Sequence, residues 1–217
     1  MKALLIPLKD PDNAKTRLSS FATAEQRRLL AWAMFEDVVE AASKAEKPDR
    51  VVLVSNCRPA IEYASTRGWD VLIEYEQQSE SASIDRASRI LAETGFDRVM
   101  RLPADLPLVR AEDIDELLSI DLKSPGAVLV PSFDGTGTNA IIRTPPALFP
   151  SRFGPNSLEL HKQEASHAGI ECVVYENERI AFDVDEPSDV HRLLELGFGT
   201  RAHVIAERLI LSAPVDL

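Results

Sequence analysis

Short apolar runs recur along this chain, and most are followed by a stretch whose apolar residues fall at helical spacing. The runs cover residues 3–8, 50–54, 71–73, the end of 96–100, 127–130, 140–143 and 171–175. The helical stretches cover residues 24–45, 59–67, 84–94, 111–120, 157–168, 187–196 and 201–211. Strands alternating with helices predict an α/β fold: a mostly parallel, Rossmann-like sheet with helices on both faces. Thr23 and Gln26 have the spacing of a capping box ahead of the first helix, which is expected to bury Leu29, Leu30, Met34, Val38 and Ala41. In the helix over 84–94, Ile84, Ala87, Ile90 and Leu91 are expected to face inward. Gly68, Gly95 and Gly169 stand where helices should stop, and Pro187 where one should begin. Between residues 127 and 182 the strands come closer together, which predicts an antiparallel strand at an edge. Residues 74–83 and 145–155 read as irregular, and the tail from Ser212 as loosely held. With 217 residues and no linker or repeat, one domain over 1–217 is expected.

The charge balance narrows the partners. The chain carries 24 basic and 35 acidic residues, a net charge of −11. Most of that surface would repel a long phosphate backbone, so general nucleic-acid binding is not expected, although a local basic pocket for a small anion is. Cys57 and Cys172 are the only cysteines and are far apart, which suits a reducing compartment and no zinc site. The first apolar run is too short for a signal peptide, and no run reaches the roughly 18 residues of a membrane span. The expectation is a cytoplasmic protein with no membrane partner, a homodimer being left open.

Several motifs fail on inspection. Gly135-x-Gly137-x-x-Ala140 has the lettering of a dinucleotide fingerprint, but a strand follows it instead of the helix whose amides would hold a pyrophosphate. The stretch from Asp183 to Asp189 lacks the glycine a calcium loop requires. His161 and His167 are not at the spacing of a zinc helix, and a surface role is expected for them. There is no P-loop and no nucleophile elbow.

Other features converge. Asp105 lies in Arg101-Leu-Pro-Ala-Asp-Leu-Pro-Leu-Val109, just past the end of a strand that Pro103 and Pro107 prevent from continuing. In an open α/β sheet the carboxyl edge of the strands is where ligands bind; the alternative is that Asp105 turns the chain or caps the next helix. Far along the chain Asp183 and Asp185 are two apart, so on extended backbone they point to the same side. Three carboxylates brought together call for a cation, and oxygen ligands without a Cys/His cluster suggest Mg²⁺. Lys9, Lys15 and Arg17 lie in the loop after the first strand, on that same edge, where cations and a metal would suit a nucleoside triphosphate. The alternative is a solvated basic loop. Gly154 and Ser157 sit at a helix start, which can hold a phosphate or be an ordinary cap.

Taken together, Ile6-Pro-Leu-Lys9, Ala14-Lys-Thr-Arg-Leu18, Pro103-Ala-Asp-Leu-Pro107, Gly137-Thr-Asn-Ala140, Arg152-Phe-Gly-Pro-Asn-Ser157 and Asp183-Val-Asp-Glu-Pro187 resemble the guanylyltransferases of deazaflavin coenzyme (F-420) biosynthesis. Each piece alone is weak, but they occur in the family's order across most of the chain. The resemblance implies a nucleotide-diphospho-sugar transferase (GT-A-like) fold and transfer of GMP from GTP to a small phosphorylated acid. The acid would be 2-phospho-L-lactate, phosphoenolpyruvate or 3-phosphoglycerate. It further implies that Asp105, Asp183 and Asp185 bind Mg²⁺, that Lys15 and Arg17, with Lys9, hold the triphosphate, and that Asn139, Gly154 and Ser157 hold the acid. Arg152 is near enough in sequence to add charge there. The chain has Asp85 where the family often has Asn. Two other readings stand beside this one: a nucleotidyltransferase for a sugar phosphate or another cofactor precursor, and a non-catalytic nucleotide-binding regulator.

Overall fold

The computed structural model of the protein describes residues 1–11, 14–74, 79–170 and 172–212. In chain order it contains β1 (Lys2–Leu8), α1 (Ala24–Lys44), β2 (Arg50–Ser55), α2 (Arg58–Ser65), β3 (Asp70–Ile73), α3 (Glu80–Glu93), β4 (Arg98–Arg101) and α4 (Ala111–Ser119). Then follow β5 (Gly126–Pro131), β6 (Thr138–Thr144), α5 (Ser157–His167), β7 (Cys172–Val174), α6 (Glu178–Ala181), α7 (Pro187–Leu196) and α8 (Arg201–Ser212). The seven strands form one sheet in the order β3-β2-β1-β4-β6-β5-β7. Only β6 runs against the others: it pairs antiparallel with both β4 and β5, while β7 pairs parallel with β5. The reversed strand is therefore inside the sheet and not at its edge, contrary to expectation. The β5–β6 connection is a short hairpin turn, and a two-strand turn reverses direction wherever in the sheet it falls.

Alternation along the strands sends side chains to opposite faces. Leu4, Ile6 and Leu8 pack with Phe35 and Val38 of α1, Ala60 and Ala64 of α2, and Ile114 and Leu117 of α4. Ala3 and Leu5 face the other way, against Ile84, Ala87 and Leu91 of α3. In β5, Val128 and Val130 join the first face, whereas Ala127 and Leu129 pack under Leu158 and Ala165 of α5. Helices therefore cover both faces, as predicted. A further cluster joins Leu30 and Met34 of α1 to Val190 and Leu193 of α7 and to Ala202 and Ala206 of α8. Among the described residues no helix is long and apolar enough to cross a membrane.

The predicted capping box forms, with reciprocal hydrogen bonds between Thr23 and Gln26. Gly68 closes α2 with φ 71°, the left-handed geometry that needs no Cβ. Other readings need correction. Leu29 is exposed, on the flank of the stripe set by Leu30 and Met34. Ile90 is only partly buried. α3 begins at Glu80, four residues earlier than its apolar spacing suggested, because Ser79 caps it by accepting from Ala82 N–H. The short helix α6 was not foreseen; Asn177 caps it through Arg179 and Ile180 N–H. His161 is fully buried and not a surface residue. The start of the strand expected over 171–175, the middle of the irregular stretch over 74–83, two residues of the basic loop (12 and 13) and the tail after Ser212 lie outside the described residues.

Candidate active site

The carboxyl ends of β1 and β4 open on a cleft of about 810 Å³, within the usual range for a small-molecule site. The reversed strand β6 begins where its neighbours end, so its first residues, Thr138 and Asn139, are delivered to that same edge. The loop after α6 supplies the acids. Phe182 and Val184 are buried, so Asp183 and Asp185, alternating with them, are turned toward the cleft. Asp105, Lys9, Lys15, Arg17, Gly154 and Ser157 also line it. Apart from Arg152, all the residues assigned to the site from sequence are thus brought to one place.

At the centre is Lys15. Its side chain is buried, and its Nζ donates to Asp105 Oδ2 at 2.6 Å and to Asp185 Oδ1 at 2.8 Å. Burial alone would lower the ammonium's pKa, but the two carboxylates outweigh it and hold the pKa above its ordinary value. The same pairing keeps Asp105 below the usual carboxylate range in spite of its own burial, with Arg101 adding to the effect. Lys15 takes a left-handed backbone (φ 54°), which a non-glycine residue rarely adopts outside a constrained site. Arg17 is exposed and more distant, 3.7 Å from Asp185 Oδ2 and 3.8 Å from Glu186. Lys9 is exposed at the rim.

Asp183 behaves differently from its neighbours. Burial, reinforced by the charges of Asp105 and Asp185, pushes its pKa up to about 6, although Asn139 donates to it at 3.1 Å. Three carboxylates facing one ammonium leave an excess of negative charge that a hard divalent cation would satisfy. Among the described residues no three acidic, His or Cys side chains already stand in a metal-holding group, and Lys15 lies between two of the acids. Mg²⁺ usually takes only one or two carboxylates along with substrate phosphates and water, so the donor set fits it without a ready-made cage.

On the acceptor side, several groups assigned from sequence already have partners. The side-chain amide of Asn139 donates to Ile180 O and Ala181 O as well as to Asp183, and so ties the acidic loop to β6. Ser157 Oγ accepts from Thr138 N–H, and the Ser157 and Leu158 amides donate to Gly154 O and Thr136 O. Gly154 has φ 128°, and a Cβ placed there would meet nothing within 4 Å. Arg152 turns outward to pair with Glu164. The cation that does reach this side is Arg101, passed over as part of a strand. A full charge on a buried strand four residues before Asp105 is costly, and that was the signal available in the sequence.

Asp85 has a structural role. It accepts from Ser151 N–H and Oγ–H and pairs with buried Arg143 at 3.2 Å, fastening α3 to the loop before α5. His161 fastens the same loop. Its Nε2 accepts from Arg152 N–H, so Nδ1 carries the proton and donates to Thr138 Oγ1. Burial, with the nearby Arg143 and Arg101 charges, drives its pKa down to about 3.

Comparisons with known proteins bear on the fold and on the family. In fold, a protein of Desulfovibrio desulfuricans G20 assigned to the nucleotide-diphospho-sugar transferases matches with a TM-score of 0.78, covering 99% of each chain at 16% identity. A cytidylyltransferase from Leptospira borgpetersenii matches with a TM-score of 0.59 over 97% of this chain and 93% of its own, at 16% identity. In sequence, phosphoenolpyruvate guanylyltransferase of Rubrobacter xylanophilus is 34% identical, over 87% of this chain and 91% of its own. 3-Phospho-D-glycerate guanylyltransferase of Colwellia psychrerythraea is 32% identical, over 88% and 90%. 2-Phospho-L-lactate guanylyltransferase of Methanothermobacter thermautotrophicus is 32% identical, over 94% and 89%. The family described as guanylyl transferase CofC like matches residues 1–214, nearly the whole length on which the fold and its cleft are built, and the chain belongs to that family.

Proposed function

We propose that this enzyme transfers GMP from GTP to a small phosphorylated acid, one of the acids named for its relatives, and releases pyrophosphate. The family resemblance implies a place in coenzyme F-420 biosynthesis. The observation that carries the reading is the buried Lys15 ammonium, held between Asp105 and Asp185 at the carboxyl edge of the sheet. A triphosphate entering there would meet a fixed cation, with Lys9 and Arg17 at the rim for its outer oxygens.

In the reaction an oxygen of the acceptor's phosphate attacks the α-phosphorus in line. The bond to the bridging oxygen breaks, and pyrophosphate leaves with that electron pair. The attacking oxygen is ionised near neutral pH, because a phosphate monoester has a second pKa of about 6. No base is needed, and among the described residues that line the site there is no Cys or His. Catalysis is positioning together with charge neutralisation: Lys15 faces the charge that builds on the transferring group, and its burial away from water strengthens the effect. Mg²⁺, held by Asp183 with Asp105 and Asp185, would supply charge neutralisation at the phosphates when bound.

The test is pyrophosphate release measured over a matrix of GTP, ATP and CTP against 2-phospho-L-lactate, phosphoenolpyruvate, 3-phosphoglycerate and a sugar 1-phosphate. The expected result is turnover with GTP and at least one of the three acids. Turnover with the sugar phosphate alone would overturn the reading.

A further inference from the structure

The acids named for the three relatives share a second anion, a carboxylate, and the groups first assigned to hold it are already engaged. Asn139 spends its amide on the acidic loop, and Arg152 faces Glu164. Arg101 is in a different condition. It comes from the end of β4, lines the cleft and is almost wholly buried. Its guanidinium lies over the Phe153 ring, 4.2 Å from the centroid, so Phe153 fixes its plane directly beside Gly154. Nη1 is committed, donating to Asn139 O at 2.9 Å. Nη2 pairs with Glu80, the first residue of α3, which also lines the cleft and keeps 30% of its side chain exposed. Nε is buried and, among the described residues, has no hydrogen-bond partner.

Nε and Nη2 form one edge of the guanidinium, and the two N–H groups on that edge match the two oxygens of a carboxylate. Here that edge is half used. Glu80 takes Nη2 and leaves Nε without a partner among the described residues, which is rare for a buried donor and leaves one place on that edge for an oxygen acceptor. Resting on the functional reading above, we propose that Arg101 binds the carboxylate of the phospho-acid through Nε and Nη2, and that Glu80 is the counter-ion it gives up when the acid enters. Phe153 and the Asn139 carbonyl keep the fork in place during the exchange. Glu80 then has two consequences. It spares the empty site an unpaired buried charge, and it competes with every carboxylate that enters, so it sets the acid's affinity without touching the nucleotide.

The two variants that test this move in opposite directions. Arg101→Lys keeps the charge but loses the fork, and should raise KM for the acid about tenfold while leaving KM for GTP within about twofold. Glu80→Gln removes the competing charge and should lower KM for the acid by about threefold. Isopropyl phosphate, which is phospholactate with a methyl in place of the carboxylate, serves as an inhibitor lacking the recognised group. Its inhibition constant should be the same for the wild type and Arg101→Lys. If the ion pair were only structural, both substitutions would lower the melting temperature and neither would lower KM for the acid. That pattern would overturn the proposal, as would an Arg101→Lys effect on isopropyl phosphate as large as on the acid. Failure of the wild type to use any of the three acids would instead sink the functional reading, a result visible before any variant is made.

Discussion

Asp105 and Asp183 are chemically the same residue with pKa values displaced in opposite directions. The buried ammonium of Lys15 beside Asp105 keeps that carboxyl ionised, whereas Asp183, buried and facing two other acids, has its pKa pushed up to about 6. The first group has its cation within the chain; the second has no ion-pair partner among the described residues, which is what makes it a ligand in the proposed Mg²⁺ site. Asp105→Asn and Asp183→Asn should each reduce kcat by at least about 100-fold at saturating Mg²⁺, the scale of losing one electrostatic contact to a transition state. Both should leave the circular dichroism spectrum unchanged, since neither carboxylate is part of a hydrophobic cluster. Normal activity of either variant at low Mg²⁺ would remove that residue from the metal site.

The loop before α5 has no regular structure, yet it shapes one wall of the cleft, and two polar clamps hold it. Asp85 holds it from α3 through Ser151 and Arg143, and His161 holds it from α5 through Arg152 N–H. Asp85→Ala would leave the Arg143 guanidinium buried with only Ser88 and a carbonyl, and should cost about 3 kcal/mol in denaturant unfolding. Asp85→Asn keeps an acceptor and should cost only about 1 kcal/mol, in line with a family that often has Asn there. For His161 the sign follows from its depressed pKa. Above about pH 6.5 the ring is neutral folded and unfolded, so its contribution is complete. As pH falls toward 3 the unfolded chain takes up a proton that the folded ring refuses, and stability drops by up to about 1.4 kcal/mol per pH unit. The stability difference between wild type and His161→Gln, followed by urea unfolding from pH 7 to 4, should therefore narrow as pH falls; a constant difference would mean that the ring titrates normally. These clamps also mark the limit of what the sequence displays. The strand–helix alternation, the Thr23 capping box and the Asp183–Asp185 spacing rest on local periodicity and were legible. The partners of Asp85, His161 and Arg101 lie 9 to 66 positions away and are chosen by packing, so no local pattern announces them. The interior position of β6 was hidden for the same reason: a hairpin shows that a strand reverses, but which strand it pairs with next is decided by the sheet.

At the scale of the whole molecule, an enzyme that binds a polyanion carries a net charge of −11. The cleft itself is mixed. Lys9 and Arg17 stand at its rim among Asp10, Glu74, Asp134 and Glu186, so the rim does not offset the general negative field. That field reaches outward by the Debye length, about 30 Å at 0.01 M salt but only about 8 Å at 0.15 M. The cation that matters most at contact, Lys15, is buried and is screened far less than surface charge. Salt should therefore weaken the long-range repulsion more than it weakens the local attraction. The association rate constant of GTP, measured by stopped flow at fixed free Mg²⁺, should rise roughly threefold between 0.01 and 0.15 M salt, the reverse of the fall expected for electrostatic attraction. The dissociation rate should change less, because the contacts that hold the nucleotide are buried and escape most of the screening. A decrease in the association rate over that range would mean that the Lys9 and Arg17 rim dominates the approach. The basic loop would then act as a guide for the nucleotide as well as part of its seat.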